Sequence, residues 1–229
     1  ERFTVTSKEH VGVPGHINSI TGIGNSAKDN AESNKIGKFG VGFKSVFQYT
    51  NKPEVYDDKF RFYIENYIVP TWIKEDHPLR KKGETLFKFP FKEPEKAYKQ
   101  IIDKLKQIKN PNLFLNSIQT ITWKKTTDDK TYTYTKQRLF HLMQDDIECE
   151  LLELSNYESK TQLYIFSKLL NLKEYGRHDI YVGYFLENGE INTKKRPKIH
   201  CFFPTKDTLE LPIIMHAPFL LTDSRQNIK

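Results

Sequence analysis

Cysteine is scarce in this chain: Cys149 and Cys201 are the only two among 229 residues. Two thiols so far apart match neither a metal-ligand spacing nor a disulfide framework. A reduced, intracellular compartment, the cytoplasm, is therefore expected. No run approaches the roughly 18 consecutive apolar residues that a membrane-spanning helix requires. The polar, mixed start carries no signal-peptide pattern. The chain opens on Glu1 rather than Met, so it is expected to be a trimmed piece of a longer protein. Internal repeats and low-complexity tracts are missing. His77, His141, His178 and His200 show no metal spacing with other ligands. Nor do the spacings assemble a Ser-His-Asp or Cys-His arrangement.

What is present supports a folded protein. Hydrophobic residues make up 37% and aromatics 13%, enough for a real core. The length suits one large domain or two small ones. A formal net charge of +7 can serve nucleic acid, nucleotide phosphates or an acidic partner, or solubility alone. The lysines are scattered, which favours solubility. The densest basic run, Lys194-Lys195-Arg196-Pro197-Lys198, comes after a hairpin signal and reads first as a solvated turn. The aromatic strands Tyr132–Tyr134 and Tyr181–Phe185 suit either base stacking or, more ordinarily, cross-strand pairing. Asp128-Asp129 and Asp145-Asp146 read as turns or surface charge.

Along the chain, Thr6 to Glu9 forms a capping box at a helix start. Gly22 to Lys35 is rich in Gly, Asn, Ser and Asp and reads as a loop. Phe43 to Tyr49 predicts a short helix. Glu54–Tyr56 and Phe60–Ile64 predict strands around an Asp57-Asp58 turn, and Thr85–Phe91 predicts another, ended by Pro90. From Glu95 to Ile108, Ala97, Ile101, Leu105 and Ile108 recur at helical spacing. Asn110-Pro111-Asn112 stops that helix. Strands are predicted at Ile118–Trp123, Thr131–Thr135, Ile147–Leu154, Gln162–Ser167, Ile180–Leu186, Ile199–Phe203 and Ile213–Leu221. Asn188-Gly189 marks a tight hairpin. A boundary is expected near residues 92–112.

The chemically informative segment is Ile36-Gly37-Lys38-Phe39-Gly40-Val41-Gly42-Phe43-Lys44-Ser45. Its glycines allow positive φ and close backbone approach to a ligand. The expected helix behind them presents unpaired amides and a positive dipole end, suited to phosphate. Lys38 and Lys44 add mobile charge. The order G-x-x-G-x-G is neither the dinucleotide fingerprint nor a P-loop. A protein kinase would need further motifs that are missing here. A tight strand–turn–helix corner without a ligand stays open as the plainer alternative.

The run G-x-x-G-x-G-F resembles the second glycine box of the GHKL ATPase superfamily, in its branch of large heat-shock chaperones and sacsin-type proteins. Ile23-Gly24-Asn25-Ser26-Ala27-Lys28 is similar to the segment that opens that branch's ATP lid. Gly83-Glu84-Thr85-Leu86-Phe87-Lys88-Phe89 is similar to the strand backing its adenine pocket, with one extra residue. Pro204, Leu211-Pro212, His216 to Thr222 and Ser224-Arg225 look like the tail of sacsin-type ATPase regions.

The resemblance implies an α+β chain. Residues 1–92 would be the later part of a GHKL, or Bergerat-type, α/β sandwich with a mixed sheet. Residues 93–229 would be a strand-rich α+β extension or second domain. It implies ATP with magnesium as ligands, and a nucleotide site of Ser26, Lys28, Gly37, Lys38, Phe39, Gly40, Val41, Gly42, Phe43 and Thr85. Arg225 would reach the γ-phosphate, a task suited to the planar guanidinium fork; pairing with Asp223 or plain exposure is the alternative. The family's catalytic Glu, its magnesium-binding Asn and its Asp-x-Gly adenine reader lie on upstream segments. Glu1-Arg2-Phe3-Thr4 looks like the stretch just after that Asp-x-Gly turn. The chain by itself is expected to bind ATP poorly and not to hydrolyse it. The implied function is nucleotide-driven conformational switching with a protein client or partner domain. A protein-interaction module that has lost catalysis, and a basic nucleic-acid-binding domain, are the alternatives.

Overall fold

The computed structural model describes residues 16–21, 42–172, 176–222 and 226–229. The chain divides into two compact units, Glu1–Gln107 and Ile108–Lys229. The first holds α1 (His16–Thr21), a 3-10 helix (Phe43–Gln48), β1 (Glu54–Tyr56), β2 (Arg61–Glu65), β3 (Val69–Trp72), β4 (Leu86–Lys88) and α2 (Pro94–Gln107). The strands form one antiparallel sheet in the order β3-β2-β1-β4. Period-two burial along β2 sends Phe62 and Ile64 into the core. There they join Val55 of β1, Ile17 of α1 and Phe47 of the 3-10 helix.

Local chemistry sets the connections. Asp57 Oδ1 accepts the Lys59 N–H at 3.3 Å, an Asx turn that folds β1 back onto β2. Asn66 and Tyr67, at φ 49° and 69°, make the β2–β3 turn. Pro70 is tolerated in β3 because that strand is a sheet edge. α2 begins on Pro94, carries Glu95 in its first turn and Lys104 and Lys106 in its last, all matched to the helix dipole.

The second unit holds β5 (Thr120–Lys124), β6 (Thr131–Gln144), β7 (Ile147–Ser155), β8 (Lys160–Leu172), β9 (Gly176–Glu187), β10 (Glu190–Ile191), β11 (Lys198–Cys201), β12 (Phe203–Thr208) and β13 (Ile214–His216). Strands β5 to β9 form an antiparallel meander, and β13 enters between β9 and β11, parallel to β11. Asn188 and Gly189, both at positive φ, form the predicted hairpin turn between β9 and β10. Leu113 and Phe114, just beyond α2, wedge onto one face of the sheet and pack against Leu152, Leu154, Leu163 and Ile165. Gly183 sits where the sheet is tightest. A Cβ there would collide with the Tyr164 carbonyl oxygen and lie 2.5 Å from Ile165 Cδ1.

This architecture corrects the expected fold class. The chain is mostly β: among the described residues, two α-helices stand against thirteen strands. The sheet of the first unit is antiparallel throughout, not the mixed sheet of a GHKL α/β sandwich. The physical reason is connection length. β1 to β2 and β2 to β3 are joined by short turns, which permit only antiparallel pairing, whereas a parallel pair needs a long crossover.

Candidate functional site

Of the residues implied to bind nucleotide, Gly42, Phe43 and Thr85 fall in the described part of the chain. Ser26, Lys28, Gly37, Lys38, Phe39, Gly40, Val41 and Arg225 lie outside the described residues, as does the Thr6–Glu9 capping box. Gly42 is the N-cap of the 3-10 helix, at φ −58° and ψ −46°. That is ordinary right-handed backbone, so Gly42 is not held in the positive-φ region. A Cβ at this position would meet open space.

Phe43 begins the short helix as expected. Its ring lies 6.0 Å from that of Phe87 and 6.4 Å from that of Phe89. The end of the glycine run and the Gly83–Phe89 segment, distant in sequence, therefore touch. Thr85 is exposed, and its hydroxyl donates to Asp57 Oδ2 at 2.9 Å. Gly83, at φ +83°, donates its N–H to both carboxylate oxygens of Asp58 at 3.2 Å. Arg80 fixes the same loop, giving Nη1 to Asp58 Oδ1 at 2.6 Å and Nε to Asp76 Oδ1 at 2.8 Å.

Lys44 departs from its expected role. Its ammonium is not a mobile charge: it donates to the carbonyls of Thr21, at 3.0 Å, and Tyr67. Burial pushes its pKa below the usual lysine value. The described residues of this segment thus form a short helical corner packed on the Gly83–Phe89 segment. They group no three His, Cys, Asp or Glu side chains able to hold a metal ion.

The second unit contains a cleft of about 580 Å³ that sequence reasoning missed. Its floor is the sheet face on which Leu152 and Ile165 point inward, and its wall is the Leu113–Phe114 wedge. Cross-strand register builds the rest. Glu148, Ser167 and Tyr181 form one row across β7, β8 and β9, and Leu169 opposite Asp179 forms the next. Lys136 and Arg138 approach from β6. Lys136 donates to the carbonyls of Leu115 and Leu113 at 3.0 and 3.2 Å, tying the wedge to the sheet. Arg138 gives Nη1 to Glu150 Oε1 at 3.0 Å, and Glu148 is held by His141 at 2.8 Å and by Ser167 at 3.3 Å. Asn116 donates to the Tyr181 hydroxyl at 3.2 Å. Burial pushes the Tyr181 phenol up, and the charges of Asp179, Glu148 and Glu150 push it further. A signal for this cleft exists in the sequence. Glu148 and Glu150 continue the inward alternation of Leu152 and Leu154, so carboxylates stand on the core-facing side of β7.

No helix among the described residues is long and apolar enough to cross a membrane. No family model matches the chain. No solved structure matches it. Among curated proteins, the chain is similar to Protein NO VEIN of Arabidopsis thaliana, at 24% identity over 249 residues. That likeness takes in 94% of this chain and 9% of that protein, so the chain spans about a tenth of its relative's length.

Proposed function

We propose that this chain is the ATP-binding region of a larger, chaperone-like machine that switches conformation with nucleotide, acting in the cytoplasm. The observation that supports the reading is the meeting of two motifs. The G-x-x-G-x-G-F run ends at Phe43, whose ring lies on Phe87 and Phe89 of the Gly83–Phe89 segment. In the family that both motifs resemble, these segments border one nucleotide. The resemblance is one of motif; the sheet is not that family's mixed sandwich. In this reading Gly37–Gly42 holds the phosphates, Thr85 stands near the base, Arg225 reaches the γ-phosphate, and Mg-ATP takes its metal ligand from elsewhere in the full protein.

Calorimetry with Mg-ATP on this chain, and on the natural chain extended upstream, tests the reading. The extended chain is expected to bind, this one to bind at least about tenfold more weakly, and Gly40→Val in the extended chain to remove binding, because a branched Cβ blocks backbone approach. Absence of binding in the extended chain would make the glycine run a structural corner.

One observation favours a protein-interaction role beside or instead of nucleotide binding. On the outer face of the meander, Phe140, Leu142, Ile147 and Phe166 are 49%, 48%, 44% and 38% exposed. Exposed apolar side chains gathered on one sheet face suit a protein client or partner domain.

A further inference from the structure

The cleft on the second unit is unlike the rest of this basic chain. Its lining holds two cations, Lys136 and Arg138, and three carboxylates, Glu148, Glu150 and Asp179. The charges are ordered. The cations stand on β6, Arg138 opposite Leu152 of β7, while Glu148 stands four residues away along β7. At about 3.3 Å per residue along a strand and about 4.8 Å between strands, these two backbone positions are separated by roughly 14 Å. Between them the floor is apolar at Ile165 and Leu152, with the Phe114 ring as one wall. Gly183 beside Ile165 contributes no side chain to that floor. The volume, about 580 Å³, falls within the range of small-ligand pockets.

The polar groups keep capacity for a ligand after their internal bonds. Lys136 places its ammonium on two carbonyls and has a third donor. Arg138 gives Glu150 one of its five N–H groups, and its side chain is 57% exposed. Glu148 receives one bond on each oxygen, leaving further lone pairs. A purely anionic ligand would meet the carboxylates of β7 and β9, and a purely cationic one would meet β6.

We infer that the cleft binds an amphoteric molecule of short-peptide chemistry. Its carboxylate lies at Lys136 and Arg138, its ammonium at Glu148, and its apolar stem on Ile165 against Phe114. Binding here is independent of the nucleotide reading, because none of the cleft residues belongs to the implied nucleotide site.

The test uses the full chain and three blocked tripeptides, acetyl-Glu-Leu-Lys-amide and its two charge-deleted forms, with Gln in place of Lys or of Glu. Calorimetry is expected to show saturable binding of the first, weakened about tenfold by either deletion, as fits loss of one charge-assisted hydrogen bond. In Glu148→Gln the Lys and Gln probes are expected to bind alike, while the loss from deleting Glu persists. Arg138→Gln serves as the second variant, should Glu148→Gln fail to fold by circular dichroism; there the loss from deleting Glu is expected to shrink while the Lys preference persists. No saturable binding, a Lys preference that survives Glu148→Gln, or a Glu preference undiminished in Arg138→Gln would overturn the assignment.

Discussion

His216 lies against Phe114, ring centroids 4.7 Å apart, and accepts the N–H of Phe202 at Nδ1 over 3.1 Å. Nδ1 also lies 3.1 Å from the carbonyl oxygen of His200, to which it can donate only when it carries a proton. Protonation at Nδ1 would therefore exchange the bond from Phe202 for one to the His200 carbonyl. His200 meets the same Phe114 ring edge-on at 5.1 Å. Burial holds both imidazoles down at about 4, and for His200 the neighbouring His216 adds to the effect.

The first prediction is an acid limb in stability. Both folded-state pKa values lie below the unfolded value near 6.5, so between pH 6.5 and 4 the unfolded chain binds more protons. Stability is full above pH 6.5 and falls as pH drops to 4, by on the order of 3 kcal/mol per ring. Urea unfolding at pH 7 and pH 5 measures it. His216→Gln should be less stable at pH 7 and lose less between the two pH values.

A second prediction concerns Gly183→Ala. The new methyl would strike the Tyr164 carbonyl oxygen and Ile165 Cδ1, and lie 3.3 Å from Ile214 Cγ2. Backbone on one side and core on the other leave it nowhere to move. A loss of about 2–4 kcal/mol is expected from overpacking. Denaturant titration reads it, and Gly189→Ala, with nothing within 4 Å but φ at +84°, should cost less.

Titration of Asp76 provides a third. The Arg80 guanidinium beside it holds the carboxyl down at about 2, with the His77 N–H assisting. Its contribution to stability is therefore full above about pH 4, the ordinary aspartate range, and lost progressively as pH falls from there through about 2. Carboxyl NMR shifts should track that low midpoint. In Arg80→Gln the midpoint should return toward the ordinary aspartate range. An unchanged midpoint in the variant would mean that Arg80 is not the cause.

Much of the second unit was legible from its residues because alternation on the meander strands is strong. Tyr132 and Tyr134, or Leu152 and Leu154, point inward while their neighbours do not. The extension of β6 beyond Thr135 was not legible. Lys136, Gln137 and Arg138 interrupt the apolar period, and a register shift between Arg138 and Phe140 resets it. β3 was missed because Pro70 argues against a strand unless its edge position is known. In the first unit, Phe43 was rightly expected at a helix start, but the capture of Lys44 by two carbonyls depends on tertiary contact with residues far along the chain. Of the cleft, only the carboxylates on the inward face of β7 left a trace in the alternation. Its charges come together by register between strands and not by spacing within one.

The position of β13 has a consequence for how the second unit comes together. β5 to β9 are joined in chain order and can zip hairpin by hairpin, whereas β11 and β12 have no neighbour on the meander until Ile214–His216 inserts between β11 and β9. Three residues near the end of the chain act as the keystone of a nine-stranded sheet. During synthesis the two halves of that sheet stay unjoined until residue 216 is free to pair. A chain stopped short of it would expose a sheet edge at β9 and leave a stray hairpin, a ready start for association between copies.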